Sequence, residues 1–439
     1  MSASAPLTRL SALRSMFRRD GFAQSVTVLA GGTALGQAIV LLASPVLTRL
    51  YQPEEFGVLA VYASLLGIVV VFAGMRYELA VPLANDDEQA IHLVVLALVL
   101  VVLVAGCTGI LILLAGGQLA AWLRISEYER YLWLLPLGVL LAGSYQVLNY
   151  WAVRKRDYSR IARTKLHQAI GSVAVQIGCG LAKLGPLGLI GGQIVGQSAG
   201  VGTLARSMRP LGRAFARVRA GKIVELGKRY AAFLRFGAPQ AFINALGQHL
   251  PQLMLAGLFS SQTAGLYLLA RRILNYPVQV VGQSIRQVYY PRAKQAYDQG
   301  RAYPYAMRLS LILAASAVIP TLVIALFAPP IFGFCFGEEW RQAGVYSSLL
   351  VWWLAVGFVN IPSVSLIPIV GLQRFHLTIE SAFFAPRIAA IAFGAWLNSE
   401  IVAIAALACV GVVFNVLLIG AVLAFTKRSD STWRERHVQ

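Results

Sequence analysis

The sequence predicts an all-α polytopic membrane protein, about twelve transmembrane helices in two pseudo-twofold-related six-helix bundles around a central cavity. Three observations carry this. Of 439 residues, 58% are hydrophobic and only 13% charged, roughly half the charged share of a soluble domain. Uncharged apolar runs recur from end to end, each near the ~20 residues that cross a bilayer. The basic residues, finally, collect in alternate loops.

In chain order the runs place spans at 25–47, 57–82, 90–115, 131–152, 165–184, 187–206, 234–258, 264–290, 307–328, 346–370, 375–397 and 400–425. The first follows Arg14, Arg18 and Arg19 as a signal peptide would. Its apolar stretch exceeds the usual h-region and no convincing cleavage site follows, so it reads as a retained helix. Twelve spans put both termini on one side. The segments on that side hold 28 of the 38 Lys and Arg residues and the loops opposite hold five, so the positive-inside rule makes both termini cytoplasmic. One inside segment breaks the pattern: "ANDDEQA" (84–90) carries three acids and no base.

The net charge of +20 therefore reads as orientation plus attraction to anionic membrane lipids, not as nucleic-acid binding. Cys107, Cys179, Cys335 and Cys409 are scattered without a CxxC pair, so neither a disulfide framework nor a metal site is expected.

The longest basic segment, "RSMRPLGRAFARVRAGKIVELGKRYAAFLR" (206–235), divides the chain. The expected organisation is a basic cytoplasmic N-terminus (1–24), an N-lobe of spans 1–6 (25–206), a basic linker (207–233), a C-lobe of spans 7–12 (234–425) and a cytoplasmic tail (426–439). Leu211, Phe215, Val218, Ile223 and Leu226 interleave with the linker's bases, which suits a helix lying on the inner membrane surface. The halves also match each other. "LYQPEEFGVLAVY" (50–62) aligns with "LFSSQTAGLYLLA" (258–270) at an offset of 208, pairing Gly57 with Gly265. Lobes related in this way enclose a shared cavity near the bilayer midplane.

The charges left inside the spans are Arg76, Arg271, Arg272, Arg286 and Arg387, with Glu78 and Glu380. Each costs about 2.5–3.5 kcal/mol at the bilayer centre on insertion scales, so a partner or a wet cavity is expected. In "RRILNYPVQVVGQSIR" (271–286), Arg272, Asn275, Gln279, Gln283 and Arg286 share one helical face. Arg387 lies roughly 16 Å along its span from His376 at 1.5 Å per residue, near the midplane. His376, Glu380 and Arg387 share a face, and Pro386 should disturb the helix there. Glu380 and Arg387, about 10 Å apart along the axis, read either as a structural pair or as cavity lining. Gln240, Asn244, Gln248 and Gln252 recur at intervals of four in span 7 and read either as cavity lining or as interhelical hydrogen bonding. Arg76 and Glu78 close span 2, and position 78 is the repeat equivalent of Arg286. A latch across the inner mouth and interfacial snorkelling both fit. The surplus of arginine is the informative feature. A large anionic amphiphile needs cationic, multi-donor recognition, which Arg supplies, with amides and aromatics such as Tyr267, Tyr276 and Trp396 beside it.

Four stretches resemble one family. "LTRLYQPEEFG" (47–57), "GMRYELAVPLANDDEQA" (74–90), "GLYLLARRILNYPVQVVGQSIRQVYYP" (265–291) and "FGEEWRQAG" (336–344) are similar to segments of the polysaccharide and O-antigen (Wzx-type) flippases of the multidrug/oligosaccharidyl-lipid/polysaccharide exporter superfamily. The resemblance implies a two-lobed carrier in the bacterial inner membrane that moves undecaprenyl-pyrophosphate-linked oligosaccharide by alternating access, for O-antigen, capsule or exopolysaccharide synthesis. It implies that spans 1, 2, 7 and 8 border the cavity, and that a polysaccharide polymerase and a chain-length regulator are partners. On this reading Arg272, Arg387, Arg286, Arg271, Arg76, Asn275, Gln279 and Gln283 bind substrate, and Glu78 and Glu380 are the candidates for ion coupling or gating. No cofactor or metal is expected; H+ coupling, Na+ coupling and uncoupled transport stay open.

Two other classes fit the sequence less well. A cation-coupled drug exporter of the same superfamily would be expected to carry acids, not arginines, in its cavity. A membrane glycosyltransferase or polysaccharide polymerase needs a large outside loop and catalytic carboxylates, and every expected outside loop here is short. With no P-loop motif and no nucleophile constellation, the chain reads as non-enzymatic.

Overall fold

The computed structural model describes residues 21–208 and 218–437. The expected basic N-terminus up to residue 20, and linker positions Leu211, Arg213, Phe215 and Arg217, lie outside the described residues. The N-terminal half forms α1 (Gly21–Leu50), α2 (Pro53–Ala73), α3 (Asp87–Trp122), α4 (Leu135–Arg154), α5 (Tyr158–Leu181), α6 (Pro186–Ser198) and α7 (Val201–Arg206). A short helix, α8 (Ala220–Arg229), precedes the second half: α9 (Ala238–Leu258), α10 (Ser261–Asp298), α11 (Ala302–Phe336), α12 (Arg341–Val359), α13 (Ile361–Val370), α14 (Gln373–Ala382), α15 (Phe384–Trp396) and α16 (Glu400–His437). Below, the outer end of the bundle is the one with the α1–α2 and α9–α10 turns, following the orientation read from the charges.

Helix starts are written in capping chemistry. Asp86 and Asp157 accept from the backbone N–H three residues on, at the heads of α3 and α5, and Ser260 does so for α10. These satisfy N–H groups that a helix start leaves unpaired. At the head of α2, Gln52 and Glu55 form a capping box with Pro53 at the first helical position.

Three expected spans are broken helices. The sixth divides at Gly200 (φ +105°) into α6 and α7. The tenth divides at Asn360, just before Pro362, into α12 and α13. The eleventh divides at Phe383 into α14 and α15, three residues before the proline expected to disturb it. The second span is shorter than the apolar run: α2 stops at Ala73, Met75 and Arg76 are left-handed, and a 3-10 helix covers Tyr77–Leu83.

Among the described residues, eight segments are long and apolar enough to cross a membrane. The four expected spans outside that set are α5, α6 with α7, α9 and α10. All but α6/α7 carry rows of polar side chains, and α6/α7 is broken. Helix contacts repeat between the halves. α1 packs on α5 as α9 does on α15, and α2 on α4 as α10 does on α12. Likewise α3 packs on α4 as α11 does on α12, and α4 on α6 as α12 does on α16. Two six-span bundles of one design result, joined mainly by α2 against α9 and α10, with α1 touching α10 and α11. An apolar cluster holds the outer junction: Leu47, Tyr51, Phe56 and Leu59 of the first half pack with Leu255, Leu266 and Trp340 of the second.

The acidic inside segment finds its partners in the other inner loops. Asp87 pairs with Arg154 at 3.2 Å and Lys155 at 2.5 Å, and Glu88 pairs with Lys222 of α8 at 2.9 Å. Arg154 also donates to the carbonyls of Val81 and Ala84. The helix α8 is held on the N-terminal half by buried Leu226, by the Arg219 N–H against His92, and by the Tyr77 hydroxyl on the Gly227 carbonyl.

Candidate functional site: an arginine-lined cleft and cavity

The polar residues of α10 divide between two places: adjacent Arg271 and Arg272 point about 100° apart, and Asn275 projects between them. Gln279 reaches the other lobe, with Tyr276 and Arg272 one and two turns before it on the same side of the helix. The Arg272 guanidinium lies 5.9 Å from the Tyr276 ring centre, and Gln279 accepts from Gln37 of α1 at 3.4 Å. Gln283 and Arg286 continue this helix toward the inner end and are exposed, with the Arg286 guanidinium folded over Gly282.

Arg271 and Asn275 face into the C-terminal bundle instead. They line a cavity of about 280 Å³ together with Trp353 of α12, Arg387 of α15, and Phe414 and Asn415 of α16. Arg271 donates to the Gln248 carbonyl at 3.2 Å and lies 5.7 Å from the Tyr267 ring centre. The Arg387 guanidinium sits 5.2 Å from the Phe414 ring centre, a cation–π contact that orients it without neutralising it. Asn415 accepts from Asn360 at 2.8 Å and donates to the Gly411 carbonyl at 2.8 Å, so the break at Asn360 supplies part of the wall behind the cavity.

Arg387 also borders a second, smaller space of about 60 Å³ with Gln240, Asn244, Gln248, Ser381 and Glu380. The break at Phe383 allows Glu380 and Arg387 to look into the same space from separate helices. The amides of span 7 are therefore divided. Gln240, Asn244 and Gln248 line this space, while Gln252 is buried in packing. Among the described residues the cations in ion pairs are Arg76, Arg154, Lys155, Arg160, Lys222, Lys294 and Arg341. Arg271, Arg272, Arg286 and Arg387 are not among them.

Arg76 and Glu78 sit apart from these four. Glu78 is buried inside the N-terminal bundle, 3.9 Å from Arg76 and accepting from Gln146 of α4 at 3.3 Å. The left-handed backbone at Arg76 (φ +64°) folds the two side chains onto one another. Trp396 is exposed at the outer end of α15 and lines neither arginine space.

One residue escaped the sequence reading. Lys165, counted with the inside loop, lies in α5 with its ammonium 5.0 Å from the Tyr145 ring centre. It continues a row with Gln168, Ser172 and Gln176, all buried. Their spacing of three to four residues was the available signal.

The two lobes meet at the outer end. Gly57 and Gly265 pack on each other's backbone, Phe56 and Trp340 meet edge to face at 4.8 Å, and the Trp340 indole donates to the Thr48 carbonyl at 3.0 Å. Along α10, Thr263 to Ala270 is almost wholly buried, whereas most residues from Pro277 inward are exposed or half-buried. The cleft is thus closed at the outer end and open toward the inner one, with Arg272 at its depth.

Against this geometry, a family model described as "Polysaccharide biosynthesis protein" matches residues 46–344, about two thirds of the chain. The chain belongs to that polysaccharide biosynthesis family. Its fold is that of the MATE transporters. A multidrug resistance MATE family transporter of the MOP superfamily, solved in an inward-facing conformation, superposes with a TM-score of 0.65 at 14% identity, covering 88% of this chain and 95% of that one. A MATE structure in complex with MaL6 gives 0.58 at 11% identity, covering 93% and 97%. A eukaryotic MATE transporter gives 0.53 at 14% identity, covering 95% and 100%. A search of curated proteins returns no match. The family and the shared fold agree with the resemblance read from the sequence, and the long apolar helices make this a multi-pass membrane protein.

Proposed function

We propose that this protein flips undecaprenyl-pyrophosphate-linked oligosaccharide from the cytoplasmic to the periplasmic leaflet of the bacterial inner membrane, both termini being cytoplasmic. The observation that carries this reading is the pair Arg271 and Arg387. Two guanidiniums from different helices line one membrane-depth cavity whose other polar residues include Asn275 and Asn415 and whose lining has no carboxylate. Two cations facing one cavity with no carboxylate in ion-pair contact are costly in low dielectric, and an anionic ligand offsets that cost. Forked donors on two sides suit a diphosphate. Arg272 and Gln279 in the cleft meet the head on its way from the inner mouth, and Gln283 and Arg286 line the approach. The family supports a role in polysaccharide synthesis. The lobes, joined at the outer end, support alternating access from an inward-open state.

The arginine surplus also separates this reading from drug export: a cationic drug would be repelled by Arg271, Arg272 and Arg387. The test is genetic and chemical. Cells lacking the protein should accumulate undecaprenyl-linked oligosaccharide on the inner leaflet and lose surface polysaccharide, and the reintroduced chain should reverse both. Normal surface polysaccharide in the deletion strain, with altered drug sensitivity, would reject the proposal.

A further inference from the structure

Beside the arginine cavity lies a larger space of about 470 Å³ between α10, α11 and α12. Its walls are almost wholly apolar: Ile273, Pro277 and Val281 of α10, Ile324 and Phe332 of α11, and Phe358 of α12 are representative. The polar exceptions are Ser316, Thr321 and Cys335. Prolines explain why it stays open. Pro277 lies within α10, and Pro320, Pro329 and Pro330 lie within α11. Each lacks a backbone N–H and its ring crowds the preceding turn, which works against ridge-into-groove closure of the two helices. Val281 and Ile331 are exposed, which opens the space sideways.

Two features identify its occupant. Val278 and Leu354 line both this space and the arginine cavity, so the two are neighbours through a single wall. They also share a depth, because their linings alternate along the same two turns of α10: Arg271, Asn275 and Val278 on the cavity, Ile273, Leu274 and Pro277 on the apolar space. A phospholipid keeps its head at the membrane surface, so its chain would not start from this depth. An amphiphile in transit does hold its charged head at mid-membrane, and its chain must leave through an adjacent apolar wall. We infer that this space receives the polyisoprenoid chain of the transported lipid while its diphosphate is held by Arg271 and Arg387. The inference rests on the flippase reading above and adds a tail site to it.

The test uses the full-length protein in nanodiscs and a farnesyl diphosphate carrying a photoreactive group at the end of its chain. Inorganic pyrophosphate binding is measured in parallel. Label is expected on peptides covering 273–281 and 316–336, displaced by excess pyrophosphate and abolished in Arg387→Gln. Val281→Trp, at an exposed lining position, should cut labelling and farnesyl diphosphate affinity by about tenfold through lost apolar contact and leave pyrophosphate binding unchanged. A second filling variant, Ser316→Trp, should do the same. Label elsewhere, or undiminished in both Trp variants while pyrophosphate still binds, overturns the tail site and leaves the flippase reading standing. Equal labelling by a phosphatidylcholine bearing the same photoreactive group makes the space an ordinary lipid site and also overturns it. Failure of the parental protein to bind pyrophosphate removes the flippase reading, and the tail site with it.

Discussion

Gly57 and Gly265, 208 residues apart and equivalent in the repeat, pack backbone to backbone where the two lobes meet. A Cβ on Gly57 would lie 1.9 Å from the Ser261 carbonyl oxygen, and one on Gly265 would lie 2.0 Å from that of Pro53. Positions 53 and 261 are themselves separated by 208, so each half presents to the other the contact it receives. Such reciprocity marks a twofold axis, and here the axis runs between two glycines. Only glycine allows this approach, since both obstructing atoms are backbone.

Gly57→Ala should therefore force the outer ends apart at a cost of about 1–3 kcal/mol, the usual range for overpacking. That penalty falls on the outer-closed state alone and shifts the population toward the alternative. With Ser284→Cys on exposed inner α10 as reporter, in a background without native cysteines, maleimide labelling should slow by roughly fivefold or more. Unchanged labelling in a folded variant would mean that the glycine contact is not part of the switch.

The linker helix α8 is attached to the N-terminal half, so any motion between the lobes is expected to be absorbed after it. The segment before α9, Phe233–Gly237, is π-helical, a form that is rare and concentrated at functional sites. A Cβ on Gly237 would meet nothing closer than 3.9 Å. Gly237→Ala should thus raise thermal stability by up to ~1 kcal/mol from helix propensity while slowing transport at unchanged substrate affinity. Equal turnover in both forms would locate the hinge elsewhere.

Arg154 and Lys155 both pair with Asp87, yet their replacement should differ. Lys155 is half-exposed and makes one surface ion pair, worth about 0–1 kcal/mol. Arg154 is mostly buried and also satisfies the carbonyls of Val81 and Ala84; leaving such groups unpaired costs about 1–3 kcal/mol each. In thermal unfolding in detergent, Arg154→Ala should lose distinctly more stability than Lys155→Ala, and added salt should weaken only the effect of Lys155→Ala. Equal losses would contradict the assigned roles.

Much of this architecture could be read in the chain because a bilayer leaves few choices. Backbone polar groups must be paired internally, so a long apolar run becomes a helix, and repeated loops imply repeated lobes. Long-range side-chain pairings obeyed no such rule. The Trp340–Thr48 bond joins residues 292 positions apart, and the partners of "ANDDEQA" come from two other inner loops. Helical projection put Asn275 with Arg272; the structure puts it with Arg271, because a stripe about 60° wide can straddle the edge between two cavities. Pro386 announced the break at Phe383, whereas the breaks at Gly200 and Asn360 were hidden inside runs apolar enough to be continuous helices.

Glu78 is a buried carboxylate with Arg76, Gln146 and Tyr150 among its neighbours, and we propose it as the site where a coupling proton binds. Glu78→Gln keeps the shape and a hydrogen bond to Gln146 but no longer titrates. Transport by this variant should lose its dependence on an imposed pH gradient while binding of the lipid-linked substrate is retained. A variant that still responds to the gradient would show Glu78 to be a structural partner of Arg76, in which case its main effect would be on stability.

The most direct measurement is translocation by Arg387→Gln and Arg272→Gln, scored as undecaprenyl-linked oligosaccharide retained on the inner leaflet beside surface polysaccharide and protein level. Glutamine keeps polarity but loses the charge and the fork. A charge-assisted hydrogen bond is worth about 1.5–3 kcal/mol, or roughly 10- to 150-fold in affinity. Both variants should insert normally, retain substrate on the inner leaflet and export little polysaccharide. Arg387→Lys should recover part of the activity, because charge survives while two-pronged geometry does not. Export at the parental rate by normally expressed Arg387→Gln and Arg272→Gln would show these arginines to be structural and contradict the anion-carrier account.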